Sequence, residues 1–264
     1  MTAMPPRSAG LQPREKDAPR LVNVLHSPKR IRVMFGGETI ADSRQVLVLR
    51  SNHFLPIYFF PLADVREQFL VPSSHRSRHD ALGEASHMSV VVGDKRAEDA
   101  AWTVADPADA AFKPLSGHVA FQWKAMDHWF EEAEEIFVHA KDPYARIDTL
   151  LSNSHVQVFL EGEILADSKR AVLLFETHLP TRFYIPKEDV RMDRIFPSEH
   201  MSRCPYKGTA SHWSARLKDG TILSEVAWEY ADPFSEVAKI KGLLAFYPSA
   251  VDEIRLDGDK VTFG

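Results

Sequence analysis

"RIRVMFGGETIADS" (residues 30–43) is answered 125 residues later by "HVQVFLEGEILADS" (residues 155–168). Both stretches alternate apolar and polar side chains about a Gly-containing centre, the signature of a β-hairpin. The correspondence runs outward without an insertion, and 22 of the 60 pairs that align 30–89 with 155–214 are identical. Average composition gives roughly one match in sixteen. The chain therefore contains a duplication, and its fold has to be built twice. Further on, "AWTVADP" (101–107) matches "AWEYADP" (227–233) after a one-residue slip, and "GHVAF" (117–121) matches "GLLAF" (242–246).

Within each half the pattern is β. "IYFFP" and "RFYIP" are aromatic-rich strands that stop at a proline, and "HWSARL", "VAWEY" and "LLAFYP" are further short strands between turns. Each half is expected to be a mostly β, antiparallel domain of about six to eight strands. The clearest helix candidate is "DHWFEEAEEIFVHA" (127–140), with Trp129, Phe130, Ala133, Ile136 and Phe137 at helical spacing. These readings predict a disordered tail over 1–28, a first β domain over 29–126, a helix-containing linker over 127–153 and a second β domain over 154–264.

Composition narrows the partners. A net charge of -5 and no dense basic face argue against a nucleic-acid binder, since neutralising phosphates needs clustered Lys and Arg. The longest apolar runs, such as "AVLLF" (171–175), are far below the roughly 20 residues that span a bilayer. The Pro-rich, polar N-terminus lacks the apolar core of a signal peptide. Cys204 is the single cysteine, which excludes an intrachain disulfide or a multi-cysteine zinc site and suits a reducing cytosol. No cofactor, metal, membrane or nucleic acid is expected, and the partner is expected to be a small-molecule ligand.

The second half carries "ETHLPTRFYIPKEDV" (176–190), "CPYKGTASHW" (204–213), "AWEYADP" (227–233) and "IKGLLAFY" (240–247), preceded by "HAKDPYARID" (139–148). Together these resemble domain-of-unknown-function family 427, which also carries a nucleotidyltransferase-like label. The resemblance covers nearly everything from about residue 30 to the end, twice over. It implies a small β-tent-like fold and brings no secure activity. The residues do not support the label: there is no Gly-Ser followed by paired metal-binding aspartates, and no phosphate-cradling glycine loop. Ala140 and Lys141 also depart from the family's usual His-Pro-Arg-Asp-Pro-Tyr linker motif.

A duplicated scaffold supplies its own control. Positions identical in both halves serve folding first, and positions polar in one half alone are candidates for chemistry. The second half has Glu176, Arg182, Tyr184, Cys204, Tyr206, Lys207 and Trp213 where the first has Ser51, Ile57, Phe59, His79, Ala81, Leu82 and Met88. Arg182 and Tyr184 are two apart, so a strand points them to one face, and Glu176 keeps the same parity if the hairpin is regular. Glu176 beside Arg182 and Lys207 would form an anion pocket with an acid or base at hand, with Tyr184 as proton donor or orienter. Cys204 near Lys207 would be an optional nucleophile, and Tyr206 and Trp213 would line the substrate.

Each of these residues also has a plainer role. Glu176 and Arg182 can be a structural ion pair, and a lone cysteine is usually a small buried hydrophobe. His200 and His212 recur as His75 and His87 and read as structural, Asp42 and Asp167 as turn or capping residues, and Trp102, Trp213 and Trp228 as core. His139, Asp142, Tyr144 and Arg146 either line the site or lock the halves together. Three functions fit: an acid–base enzyme (isomerase, lyase or hydrolase type) acting on an anionic or polar substrate in the second domain, a small-molecule binding module, or an interaction protein. The first is the leading expectation.

Overall fold

The protein is represented by a computed structural model that describes residues 21–263 except 53, 80, 81 and 108. The expected disordered tail lies outside the described residues over 1–20. Its last part does not fit that expectation, because Val22–His26 is a strand paired antiparallel with Leu47–Ser51. The chain divides at Asp142/Pro143 into two compact units, each mostly β with antiparallel sheets. Among the described residues no helix is long and apolar enough to cross a membrane.

The repeated hairpin forms in both units. Ile31, Val33 and Phe35 point inward, as do Val156, Val158 and Leu160 in the second copy. The turn residues Gly36 and Gly37 have φ of 59° and 80°, and Glu161 and Gly162 have 55° and 73°. Two successive left-handed residues match the twist of a two-residue hairpin, which is why glycine stands in both turns. Asp42 and Asp167 lie in the strands and are not capping residues: Asp42 pairs with Arg30, and Asp167 with His155 and Gln157. The serines that follow hold the turn, since Ser43 donates to Asp64 at 2.6 Å and Ser168 to Asp189 at 2.7 Å.

In the first unit a seven-stranded sheet runs in the spatial order Val22–His26, Leu47–Ser51, Ile57–Pro61, His118–Phe121, Lys95–Thr103, Gly83–Val92, Leu70–His79. A four-stranded sheet built on the hairpin buries Ile31, Val33 and Phe35 in one core with Val48, Tyr58 and Phe60. A second core holds Leu49, Phe59, Leu82, Trp102 and Leu115. Strand geometry turns adjacent residues to opposite faces, so Phe59 and Phe60 enter different cores.

The second unit repeats the plan with the large sheet in two pieces. Ile147–Leu151, Val172–Glu176 and Arg182–Tyr184 form one piece, and Ile195–Cys204, Gly208–Arg216, Ile222–Glu229 and Leu244–Phe246 the other, with an Ile185–Leu244 bridge between them. Phe183, Trp213 and Phe246 join Val156 and Val158 in one core. Tyr184, Leu174, Trp228, Tyr230 and Ile240 form the other. Burying an aromatic or aliphatic side chain of this size contributes about 1.5–3 kcal/mol, so the two cores of each unit supply most of its cohesion.

The expected helix over 127–140 is a hairpin. His128–Glu131 pairs with Glu134–Ile136 and also with Ile31–Phe35, extending the first unit's smaller sheet. Trp129 and Ile136, which helical spacing would stack along one face, are opposite partners in this register and are both buried. Glu132 takes a left-handed φ of 52° at the turn, as Asp257 does at the equivalent turn of the second unit. The linker reading of 127–153 fails with the helix, since Ile147–Leu151 is the first strand of the second unit.

Candidate functional site

The second core of the second unit is where the two copies part company. Val172, Leu174 and Glu176 alternate inward along their strand, and Val172 and Leu174 pair with Tyr184 and Arg182. Glu176, Arg182 and Tyr184 therefore share one face. Lys207 arrives from the Pro205–Tyr206–Lys207 turn between Cys204 and Gly208, which are register partners. Gly208 has φ of +98°, and a Cβ there would sit 3.4 Å from the Asp232 carbonyl oxygen, so the turn that presents Lys207 requires glycine.

Lys207 Nζ donates to Glu176 Oε2 in an ion pair whose side chains are 10% and 8% exposed. The same place in the first unit is apolar: Leu82 is buried there with Phe59 and Trp102. Tyr184 is fully buried and its hydroxyl accepts a hydrogen bond of 3.1 Å from Trp228 Nε1. Burial pushes the Tyr184 hydroxyl well above its ordinary range, and does the same to Tyr230. Both remain neutral phenols. Cys204 is half-buried beside this cluster and carries a free thiol.

Arg182 is the unusual charge. Its guanidinium carbon lies 5.8 Å from the Trp228 ring and 5.6 Å from the Phe263 ring, a cation–π cradle. Among the described residues it makes no hydrogen bond or ion pair. Burial lowers its pKa, partly opposed by Tyr184, Tyr247 and Glu176. A guanidinium stays charged under such shifts, so a half-buried cation stands here without a counter-ion in contact. Tyr247 extends the aromatic wall, its ring 4.4 Å from that of Trp228. Gln122 occupies the matching position in the first copy.

Trp213 and Tyr206 fare differently from that group. Tyr206 sits half-buried on the Lys207 turn. Trp213 pairs with Ala227 and packs in the other core, away from Tyr184. There Lys187 lies 4.8 Å over its ring and bridges to Glu229 at 2.6 Å. Leu62 and Thr103 stand at the Lys187 and Glu229 positions of the first copy, so this trio is a second feature particular to the second domain. The linker residues are held locally: Asp142 pairs with Arg50 at 2.8 Å, His139 Nδ1 donates to the Ala140 carbonyl, and Arg146 pairs with Asp148.

The first copy is not silent throughout. Tyr58 donates to buried Glu131 at 2.6 Å and Lys29 caps the same carboxylate, where the second copy has Phe183, Leu256 and Ser154. An open cleft of ≈ 420 Å³ between Ile164–Asp167 and Glu188–Arg191 contains none of the candidate residues.

Sequence reasoning also missed a histidine cluster. His200 and His212 stack with ring centroids 4.3 Å apart, and His200 Nδ1 lies 2.6 Å from Glu225 Oε1. Burial, with neighbouring His200 adding to it and Glu225 opposing, holds the His212 pKa below its ordinary value. Tyr247 lies 3.4 Å from His212 Nδ1 and so links this cluster to the Arg182 cradle.

A comparison with curated proteins finds no match. A comparison with protein-family models matches residues 23–132 and 148–257 to the Domain of unknown function (DUF427). Those two segments cover most of the chain, which therefore belongs to the DUF427 family as two copies in tandem.

Proposed function

We propose that the second domain binds a small organic anion, a carboxylate or phosphate with an apolar or planar body. The observation that carries this is Arg182, a half-buried guanidinium with no acidic partner in contact among the described residues and with Trp228, Phe263 and Tyr247 around it. An arginine fork receives such groups in bidentate fashion, and the aromatic rings contact what is attached to them. Glu176 and Lys207 neutralise each other in a buried ion pair, which leaves Arg182 as the cation open to a ligand. Ile57 replaces Arg182 in the first domain, so one anion per chain is the expected stoichiometry.

Binding is favoured over acid–base catalysis because Glu176 is committed to Lys207, and burial keeps Tyr184 and Tyr230 protonated. The single free thiol suits a reducing, cytosolic setting. Thermal unfolding of the full chain against a panel of small carboxylates and phosphate monoesters tests the proposal. A ligand at about 100 times its Kd adds about 2.7 kcal/mol, which raises the second domain's Tm by several degrees. A panel in which no anion shifts the transition contradicts the proposal.

A further inference from the structure

We propose that His200, His212 and Glu225 form a binding site for a first-row divalent metal of the zinc class. One donor atom from each of the three lies within 4.8 Å of the others, and they come from three adjacent strands of one sheet. Two imidazoles and a carboxylate are the donor set that such metals accept while leaving a coordination position open.

The surroundings are built for the role. His212 is buried, and its Nε2 lies 2.8 Å from Ser202 Oγ. That contact fixes the ring and leaves Nδ1 as the donor, the way outer hydrogen bonds orient metal-ligating histidines. Nδ1 points toward the Tyr247 hydroxyl at 3.4 Å, too long for a strong hydrogen bond. A metal about 2.0–2.1 Å from Nδ1 would take up much of that gap, so the hydroxyl must swing aside or join as a further ligand. Glu225 takes a left-handed φ of 56° where the register of its strand slips. Asp99 has the same turn of backbone in the first domain, at φ of 50°, so what differs in the second is the longer side chain, whose carboxylate reaches His200.

Donors about 2.0–2.2 Å from a tetrahedral ion sit about 3.3 Å from one another. The His200–Glu225 contact of 2.6 Å must therefore open, and the stacked His200 ring must swing. Both side chains are about half exposed, at 47% and 45%, so both can move. The first domain is the control. His75, His87 and Asp99 stand at the three positions, yet His87 Nδ1 is taken by the Asp99 backbone carbonyl at 3.2 Å, and Nε2 by Ser77. Among the described residues, only the second-domain trio clusters as ligands. The inference does not depend on anion binding at Arg182.

Titration of the tag-free full chain with Zn²⁺ by calorimetry, and with Co²⁺ by visible absorption, tests it. We expect one equivalent bound in each case, with the cobalt absorption of a nitrogen and oxygen site. His200→Ala and Glu225→Gln, both at half-exposed positions, weaken binding at least tenfold, and Ser202→Ala by about tenfold through ring orientation. His75→Ala leaves it unchanged. Absence of saturable binding at one equivalent would overturn the proposal. So would affinity unchanged in both His200→Ala and Glu225→Gln, or loss of equal size in His75→Ala.

Discussion

Lys207→Leu destabilises the second domain by about 3–5 kcal/mol, because it leaves the buried Glu176 carboxylate without its cation. Both side chains of the pair are nearly excluded from water, so solvent cannot stand in for the missing partner. For a domain of this size the loss lowers Tm by roughly 10 °C or more. Calorimetric unfolding of the full chain, read at the second domain's transition, checks it. The first domain supplies the rescue: it holds Ser51 and Leu82 at these two positions, with Leu82 buried among Phe59 and Trp102. Glu176→Ser added to Lys207→Leu therefore recovers part of the loss, because it removes the buried carboxylate that the single variant leaves unpaired. A single variant within about 1 kcal/mol of wild type would show that the pair is hydrated and makes no such demand.

The second large effect falls on binding and spares folding. Arg182→Ile installs the first domain's residue and removes a cation that has no acidic partner in contact among the described residues. The cation–π contacts with Trp228 and Phe263 stabilise by about 0.5–1 kcal/mol, and relief of the buried charge offsets them. The ligand-free Tm stays within a few degrees of wild type. Hydrogen bonds to a charged group contribute about 1.5–3 kcal/mol, so anion affinity falls about 10- to 100-fold at 1.4 kcal/mol per tenfold. Arg182→Lys keeps the charge but loses the planar fork, and falls between the two. Titration calorimetry with the best anion of the panel measures all three.

Much of this was legible in the chain because it is written twice. Two-residue periodicity placed Arg182 and Tyr184 on one face, and contrast with Ile57 and Phe59 singled them out. The same comparison carried further would have corrected the helix. At the 125-residue offset, "HWFEEAEE" (128–135) lies opposite "EIRLDGDK" (253–260), whose Asp257-Gly258 pair is an evident hairpin turn. The first copy has Glu132 and Ala133 there, which hide the turn behind a helix-favouring composition. Val22–His26 was lost for a related reason, being a short strand next to a Pro-rich stretch, with Ile147–Leu151 as its counterpart.

The site's remaining errors come from pairing that no single strand reveals. Trp213 differs between the copies, but it neighbours His212 on one strand and so faces the opposite core. The histidine cluster was hidden by the rule that repeated residues serve folding. His200 and His212 do recur, while the third position changes from Asp99 to Glu225, one methylene longer, and the residue near the ring changes from Gln122 to Tyr247. A carboxylate brought to His200 by a strand irregularity is a tertiary fact.

We propose one anion site per chain, at Arg182 in the second domain. Titration calorimetry of wild type and Arg182→Ile, side by side with the same carboxylate or phosphate, tests it most directly. The expected result is one site per chain in the wild type and a 10- to 100-fold loss in the variant at a ligand-free Tm within a few degrees. Equal affinity in the two proteins, or two equivalent sites per chain, would contradict it.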